Sequence, residues 1–112
     1  MSFRRYEILL PTRYNDGAPV QPEKIDLVVQ ELSERFGEIT FHPELLRGVW
    51  LHQGQRFEEN NVSLVVDVED SPDTVDFFFR YKQTLKERFR QIDIWIMSHE
   101  IRITWAGVAS QY

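Results

Sequence analysis

Strict alternation of apolar and polar residues predicts β-strands in this chain, because successive side chains of a strand point to opposite faces. The most regular stretch has an apolar residue at every second position: Val62, Leu64, Val66 and Val68. A similar alternation over residues 3–10 predicts a first strand that ends at Pro11. Each of these strands is predicted to bury one face in a core.

The spacing of apolar residues also predicts two helices. The first is predicted to begin at Pro22, where a missing N–H costs nothing, and to end at Gly37. Its buried stripe follows the i, i+3, i+4, i+7 spacing of one helix face: Ile25, Val28, Val29, Leu32 and Phe36. The second helix is predicted to begin at Ser71-Pro72, as N-cap and first helical residue, and to bury Phe78, Tyr81, Leu85 and Phe89.

A β-hairpin is predicted around the dipeptide Gln53-Gly54, which is typical of a tight turn between two extended runs. The run before the turn starts at Gly48. A separate short strand is predicted over residues 38–42, because Pro43 is expected to end it. Leu45 and Leu46 are then expected to form a short connection.

Two strands are predicted to be irregular, because the apolar residues along each switch from one face of the strand to the other. Phe57 and Val62 cannot both face the core of one regular strand, so a bulge or break is predicted near Asn60-Asn61. The last strand is predicted over residues 92–103, with a bulge or kink at Ser98-His99 for the same reason.

The predicted order is strand, helix, strand, strand, helix, strand. This is the βαββαβ pattern of a ferredoxin-like α+β fold, a two-layer sandwich of an antiparallel sheet with two helices on one face. The sheet residues predicted to be buried are Tyr6, Ile8, Ile39, Phe41, Val49, Leu51, Val62, Leu64, Val66, Ile92 and Ile94. They are predicted to pack against Ile25, Val29, Leu32, Phe78, Leu85 and Phe89 of the helices.

The face of the sheet turned away from the helices is the predicted binding surface. Parity assigns to it Leu9, Thr40, His42, Trp50, His52, Val65, Trp95 and Met97. Such an apolar and aromatic surface indicates a partner or a ligand. We therefore expect the chain to form a homo-oligomer, a dimer, and to take a small molecule or a protein as partner. The alternative is that the tail over residues 106–112, with Val108 and Tyr112, covers this face.

Composition limits the function further. The chain has 112 residues, which predicts a single domain over residues 1–112. Its formal net charge of -5 disfavours nucleic-acid binding, which requires cationic residues to displace counterions. There is no cysteine, and no apolar stretch is long enough for a signal peptide or a membrane span. We expect a cytoplasmic protein with no membrane partner.

The candidate site residues are Trp50, His52, Arg56, Glu58, His42 and Trp95. The three histidines, which include His99, have no spacing typical of a metal site, so we expect no metal and no cofactor. The alternative hypothesis is a small enzyme of the dimeric α/β barrel kind. In it, His52 or His42 would act as a base in a pocket between sheet and helices, with Arg56 and Glu58 orienting a substrate.

Two further segments have ordinary structural explanations. Residues 80–90, from Arg80 to Arg90, hold five basic residues against one acid, and could contact phosphate or an acidic partner. A solvated helix face, or pairing with the acidic segment before it, explains them better. The segment Tyr14-Asn15-Asp16-Gly17 is interpreted as a tight turn rather than a functional loop.

The chain resembles a small family of uncharacterised bacterial proteins. The resemblance rests on PTRYNDGAPVQPEK, RGVWLHQG, VVDVEDSP and LKERFRQIDIWIMSHEI, and covers nearly the whole chain. It implies a bacterial cytoplasmic single domain and no particular activity or catalytic residues. The leading hypothesis is therefore a self-associating accessory module that binds a ligand or protein through its open sheet face. The small enzyme is the alternative, and nucleic-acid binding through residues 80–90 is the least favoured.

Overall fold

The computed structural model describes residues 2–104. Its strands and helices, in chain order, are β1 Phe3–Pro11, α1 Pro22–Phe36, β2 Thr40–His52, β3 Gln55–Glu69, α2 Pro72–Phe89 and β4 Ile96–Ile101. The tail over residues 106–112, with Val108 and Tyr112, lies outside the described residues. The alternative in which it covers the open sheet face therefore stays a prediction.

The four strands form one antiparallel sheet in the order β2-β3-β1-β4. β1 and β3 are the central pair, and their register runs from Phe3 opposite Glu69 to Pro11 opposite Asn61. Buried side chains of α1 and α2 join one face of these strands in a single cluster. The predicted ferredoxin-like α+β fold is confirmed.

The core lies between the sheet and the helices. Ile8 of β1 lies opposite Leu64 of β3, and both are completely buried. They join Leu32 of α1 with Leu85 and Phe89 of α2 in the same cluster. Each large side chain that leaves water in this way contributes about 1.5–3 kcal/mol before conformational entropy is subtracted.

The helix ends follow the sequence prediction. Ser71 Oγ accepts a hydrogen bond from the Thr74 N–H at 3.2 Å, so it caps α2, and Thr74 Oγ1 donates to the Glu69 carbonyl at 3.2 Å. α1 ends at Gly37, whose φ of 87° is accessible to glycine at little cost. No helix among residues 2–104 is long and apolar enough to cross a membrane.

β2 and β3 extend past the end of β1 as a hairpin arm, residues 46–61. Its predicted tight turn is confirmed, with positive φ at Gln53 (50°) and Gly54 (78°). β1 pairs with β3 only as far as Pro11, opposite Asn61, so the arm projects from the two-layer body. The molecule is elongated as a result, with principal extents of 51 × 28 × 23 Å.

Four side chains that were predicted to be buried are instead exposed: Phe41, Val49, Leu51 and Ile92. Val49 and Leu51 do point to the helix side of the sheet, but they lie on the arm, and Leu51 is 72% exposed. Phe41 lies on the edge strand β2, and Ile92 precedes β4. The prediction was wrong because alternation identifies the face of a side chain and not whether another layer covers it.

The irregularity of the hairpin lies in β2. β3 keeps one register through Asn60-Asn61, so the bulge predicted there is wrong, and Phe57 simply faces the open side of the sheet. In β2 the register shifts between His42 and Leu46. The strand runs on through Pro43, contrary to the prediction that it ends there, because an edge strand tolerates a residue without an N–H.

The last strand is shorter than predicted. β4 begins at Ile96, and residues 91–95 form the connection from α2. Within that connection, the Asp93 carboxylate accepts a hydrogen bond from the Ile94 N–H at 2.9 Å, a local bond that competes with strand pairing. The bulge predicted at Ser98-His99 is also wrong, because β4 pairs with β1 in one unbroken register.

We expect Leu64→Ala to lower the free energy of unfolding by about 2–5 kcal/mol, because it leaves a cavity in the core. Leu51→Ala, the same change on the exposed arm, should alter it by less than about 0.5 kcal/mol. Urea denaturation followed by circular dichroism measures both. A comparable loss in the two variants would contradict the description of the arm as lying outside the core.

Candidate functional site

A cleft opens on the helix-free face of the sheet, where β1 ends. Its floor is formed by Leu9 and Pro11, which face this side of the sheet. One wall is the arm, and the other is the connection over residues 91–95. The Leu9 N–H donates to the Trp95 carbonyl at 3.0 Å, which holds this second wall against β1. The cleft volume is about 330 Å³, near the lower end for ligand-binding pockets.

The arm wall is built from residues of both strands of the hairpin. Gly48 lies directly opposite Glu59, and Trp50 lies two residues further along β2. A Cβ at Gly48 would lie 3.3 Å from Asn61 Nδ2, which is tighter than ordinary van der Waals contact. Asn61 is buried, so it has little room to move. The absence of a side chain at Gly48 therefore keeps this part of the wall open.

Trp50 is the centre of an aromatic row on the open face of the arm. Its ring stacks on Phe57, with centroids 4.6 Å apart and planes 18° from parallel, and meets the edge of His52 at 6.1 Å. Sequence analysis missed Phe57, because its parity suggested a break. The turn at Gln53-Gly54 could have identified it, since a two-residue turn makes Trp50 and Phe57 direct partners.

Glu59 places a partly desolvated carboxyl group in the cleft. Burial raises the pKa of this group above the ordinary glutamate value, because a charged carboxylate loses hydration there. The nearby Trp50 indole N–H favours the charged form and opposes the rise in this pKa. Among residues 2–104, no ion pair of Glu59 is found. The carboxylate thus meets the cleft without a cation of its own.

Gln91 supplies a buried polar group to the opposite wall. It follows Arg90, whose left-handed backbone (φ 52°) ends α2. The Gln91 side chain is more than nine-tenths buried, and its Nε2 donates to the Phe89 carbonyl at 3.0 Å. Its Oε1 has no hydrogen-bond partner in the described part of the chain. A buried acceptor that lacks a partner costs about 1–3 kcal/mol, and the residue that carries it belongs to the lining of the cleft.

Asp93 is the second acidic residue of the lining, and its charge is already balanced. Its Oδ1 lies 2.9 Å from Lys82 Nζ and accepts the Ile94 N–H. Ile94 and Trp95 complete this wall with apolar surface. The cleft is therefore mostly apolar, and its polar side chains without a charged partner among the described residues are Asn61 and Glu59 on the arm wall and Gln91 on the opposite wall.

The structure brings together two of the six predicted site residues. Trp50 and Trp95 line the cleft from opposite walls, and His52 lies beside Trp50 on the same face. Arg56 and Glu58 point to the other face of the arm. There, Glu58 pairs with Arg47 and lies 3.4 Å from Arg56.

The three histidines are spread along the sheet. His42 lies opposite Ser63 and has only the exposed Glu44 carboxylate nearby, at 4.0 Å from its Nδ1. His52 lies opposite Gln55, near the arm turn. His99 lies on β4, the edge strand at the other side of the sheet, opposite Arg5 of β1. No three His, Asp or Glu side chains converge on a metal-sized site within residues 2–104. The geometry does not gather His42, His52, Arg56 and Glu58 into one pocket.

The rest of the open face is more polar than parity alone suggested. Arg5 makes a two-point ion pair with Asp67, at 2.7 and 2.8 Å. Ser63 is completely buried, and its Oγ donates to Glu7 Oε2 at 2.7 Å. The open face thus divides into a polar half near the start of β1 and an aromatic half that contains the cleft.

The basic segment, residues 80–90, is largely paired within the molecule. Arg80 lies 3.1 Å from Asp76, and Lys82 pairs with Asp93. Arg88 makes a two-point contact with Glu31 at 2.6 and 3.0 Å, which lowers the pKa of that carboxyl. Arg90 lies over the Tyr14 ring, 4.6 Å from its centroid. These contacts fit the structural explanation of the segment.

We expect the adjacent carboxyl groups of Glu58 and Glu59 to titrate on opposite sides of the ordinary glutamate value. The Glu58 pKa is lowered by its hydrogen bond with Arg47 and the nearby Arg56, whereas burial raises the Glu59 pKa. A carboxyl-detected NMR titration measures both. Equal values for the two groups would contradict the difference between the two faces of the arm.

The pH dependence of the free energy of unfolding should follow the directions of these two pKa shifts. Because its pKa is raised, folded Glu59 keeps a proton at pH values where the unfolded chain has already lost it. The contribution of Glu59 to stability therefore falls as the pH rises from the ordinary glutamate pKa through the raised one. Glu59→Gln should lack this fall. The lowered pKa of Glu58 means that its carboxylate stabilises the fold at pH values above the ordinary glutamate pKa. This stabilisation is lost as the pH falls through the lowered pKa of the folded state, and Glu58→Gln should lack it.

Known proteins resemble this chain in structure and not in sequence. No protein-family model matches the chain, and no curated protein matches it. Solved structures do match. A phage SAM lyase in complex with S-methyl-5'-thioadenosine is 18% identical with a TM-score of 0.65, covering 95% of this chain and 93% of that one.

Two further structures give similar values. The phage SAM lyase in its apo state is 17% identical with a TM-score of 0.64, covering 95% of this chain and 94% of that one. A divalent cation tolerance protein (Cut A1) from Thermus thermophilus is 15% identical with a TM-score of 0.58, covering 94% and 87%. At these identities the likeness is one of fold, and this chain shares the small ferredoxin-like architecture of both proteins.

Proposed function

We propose that this chain is a self-associating module that binds a small organic ligand in the cleft of its open sheet face. The observation that carries the proposal is the cleft itself, a mostly apolar and aromatic lining with a few polar side chains, among them Gln91, whose buried Oε1 has no partner among the described residues. Convergent polar groups in an apolar cleft are the usual features of a ligand site.

Other features of the cleft support the same function. Trp50 and Trp95 offer flat apolar surface from opposite walls, and Glu59 adds a partly desolvated carboxylate. A ligand would restore hydrogen bonds to the polar groups and remove the apolar floor from water. One structure of similar fold holds S-methyl-5'-thioadenosine, which supports the idea that such a small fold can accommodate a ligand of this size.

Self-association is supported by the underside of the arm. Val49 and Leu51 are half-exposed or more on a face that no helix covers, and Leu45 is 60% exposed nearby. The outer edge of β2 has no neighbouring strand among residues 2–104. A long edge strand with exposed apolar side chains is a ready surface for a second copy of the chain.

Ligand binding is tested by NMR of the tryptophan indole N–H groups. We expect S-methyl-5'-thioadenosine or another flat heteroaromatic probe to shift the Trp50 and Trp95 signals at millimolar concentration or below. Trp50→Leu should weaken binding at least about fivefold, since aromatic stacking is worth roughly 1–3 kcal/mol. Phe79→Leu, an exposed aromatic change on α2, is the matched control. A probe set that leaves both indole signals unmoved would overturn the ligand site.

Self-association is tested by sedimentation velocity. The protein should sediment as a dimer or larger assembly at micromolar concentration, and Leu51→Asp should shift it toward monomer by placing a charge on the underside of the arm. Phe79→Asp is the control, since Phe79 is at least as exposed as Leu51 but lies on α2. A wild-type protein that stays monomeric at high micromolar concentration would remove this part of the proposal.

A further inference from the structure

The charged groups of the cleft have one common property, which is that they are acidic. They are Glu59 and Asp93; the neutral amides of the lining are Asn61 and Gln91, and the buried Gln91 Oε1 is an acceptor without a partner among the described residues. Within the described residues, no Lys, Arg or His lines the cleft. Lys82 pairs with Asp93 and not with Glu59, so Glu59 has no counter-charge among the described residues.

We propose that the ligand of the cleft is an organic cation of the ammonium type with a flat apolar body, held between Glu59 and Gln91. This inference rests on the proposed function, and it names the chemical class that the site would select. The cationic head would supply a charged N–H donor to Glu59, whose carboxylate it compensates, and a donor to the unpartnered Gln91 Oε1.

The apolar body has a matching surface. The Trp50 ring lies on the same wall as Glu59, and Leu9 and Pro11 form the floor between the walls. The Trp50 ring thus adds flat apolar surface on the wall that carries the carboxyl group. One molecule can therefore satisfy the carboxylate, the ring and the floor at once.

Ligands of other charge are disfavoured by the same groups. An anion would meet Glu59 in a partly desolvated cleft, where repulsion is stronger than in water. A neutral ligand would fill the apolar floor but leave the carboxylate without a counter-ion. The order of affinity that follows is cation, then neutral molecule, then anion.

Three probes with one indole body test this order: tryptamine, tryptophol and indole-3-acetate, which carry a positive, a zero and a negative charge. Isothermal titration calorimetry should give tryptamine about tenfold tighter binding than tryptophol, with indole-3-acetate the weakest. Glu59→Gln should reduce the preference for tryptamine to within about twofold. Gln91→Met should weaken tryptamine binding, since it removes the free acceptor while keeping the side-chain length.

The matched control is Glu58→Gln, which removes the same charge one residue away on the opposite face of the arm. It should leave the tenfold preference intact. Equal binding of the three probes, or an unchanged preference in Glu59→Gln, would overturn the inference while the proposed ligand site stands. Failure of all three indoles and of S-methyl-5'-thioadenosine to bind would instead remove the proposed function itself.

Discussion

The pairing of β1 with β3 is the constraint on which the rest of this molecule depends. It places Ile8 against Leu64 in the centre of the core and stops at Pro11, opposite Asn61. The β2–β3 hairpin is longer than this pairing, so its remaining residues form the arm outside the two-layer body. The cleft exists because β1 leaves the sheet there, and the exposed underside of the arm exists for the same reason.

The two faces of the hairpin consequently carry different kinds of side chain. On the open face, Trp50, Phe57 and Glu59 form an aromatic wall with a partly desolvated carboxyl group. On the underside, Leu51 and the Glu58 ion pairs are open to solvent or to another chain. The two-residue period of the strand is enough to separate the proposed ligand surface from the proposed association surface.

The order of elements and the fold could be predicted from the sequence, because alternation, helical spacing and turn residues are local patterns. Ser71 and the Gln53-Gly54 turn were identified for this reason. Burial on the arm could not be predicted, since Leu51 has the same parity as a core residue and only the reach of the helices exposes it. Of the residues that line the cleft, Trp50 and Trp95 were identified from the sequence. Glu59 and Gln91 were missed, because they lie 32 positions apart and meet only through the path of the chain after α2.

The regular register of β3 through Asn60-Asn61 has a consequence for how this chain can change over evolution. Hairpins that project into solvent usually tolerate insertions and deletions. Here, deletion of Asn60 would turn Glu59 to the underside and bring Glu58 to its place beside the cleft, exchanging the two surfaces in a single step. The length of β3 near the cleft can therefore change only by an even number of residues if each surface is to keep its side chains.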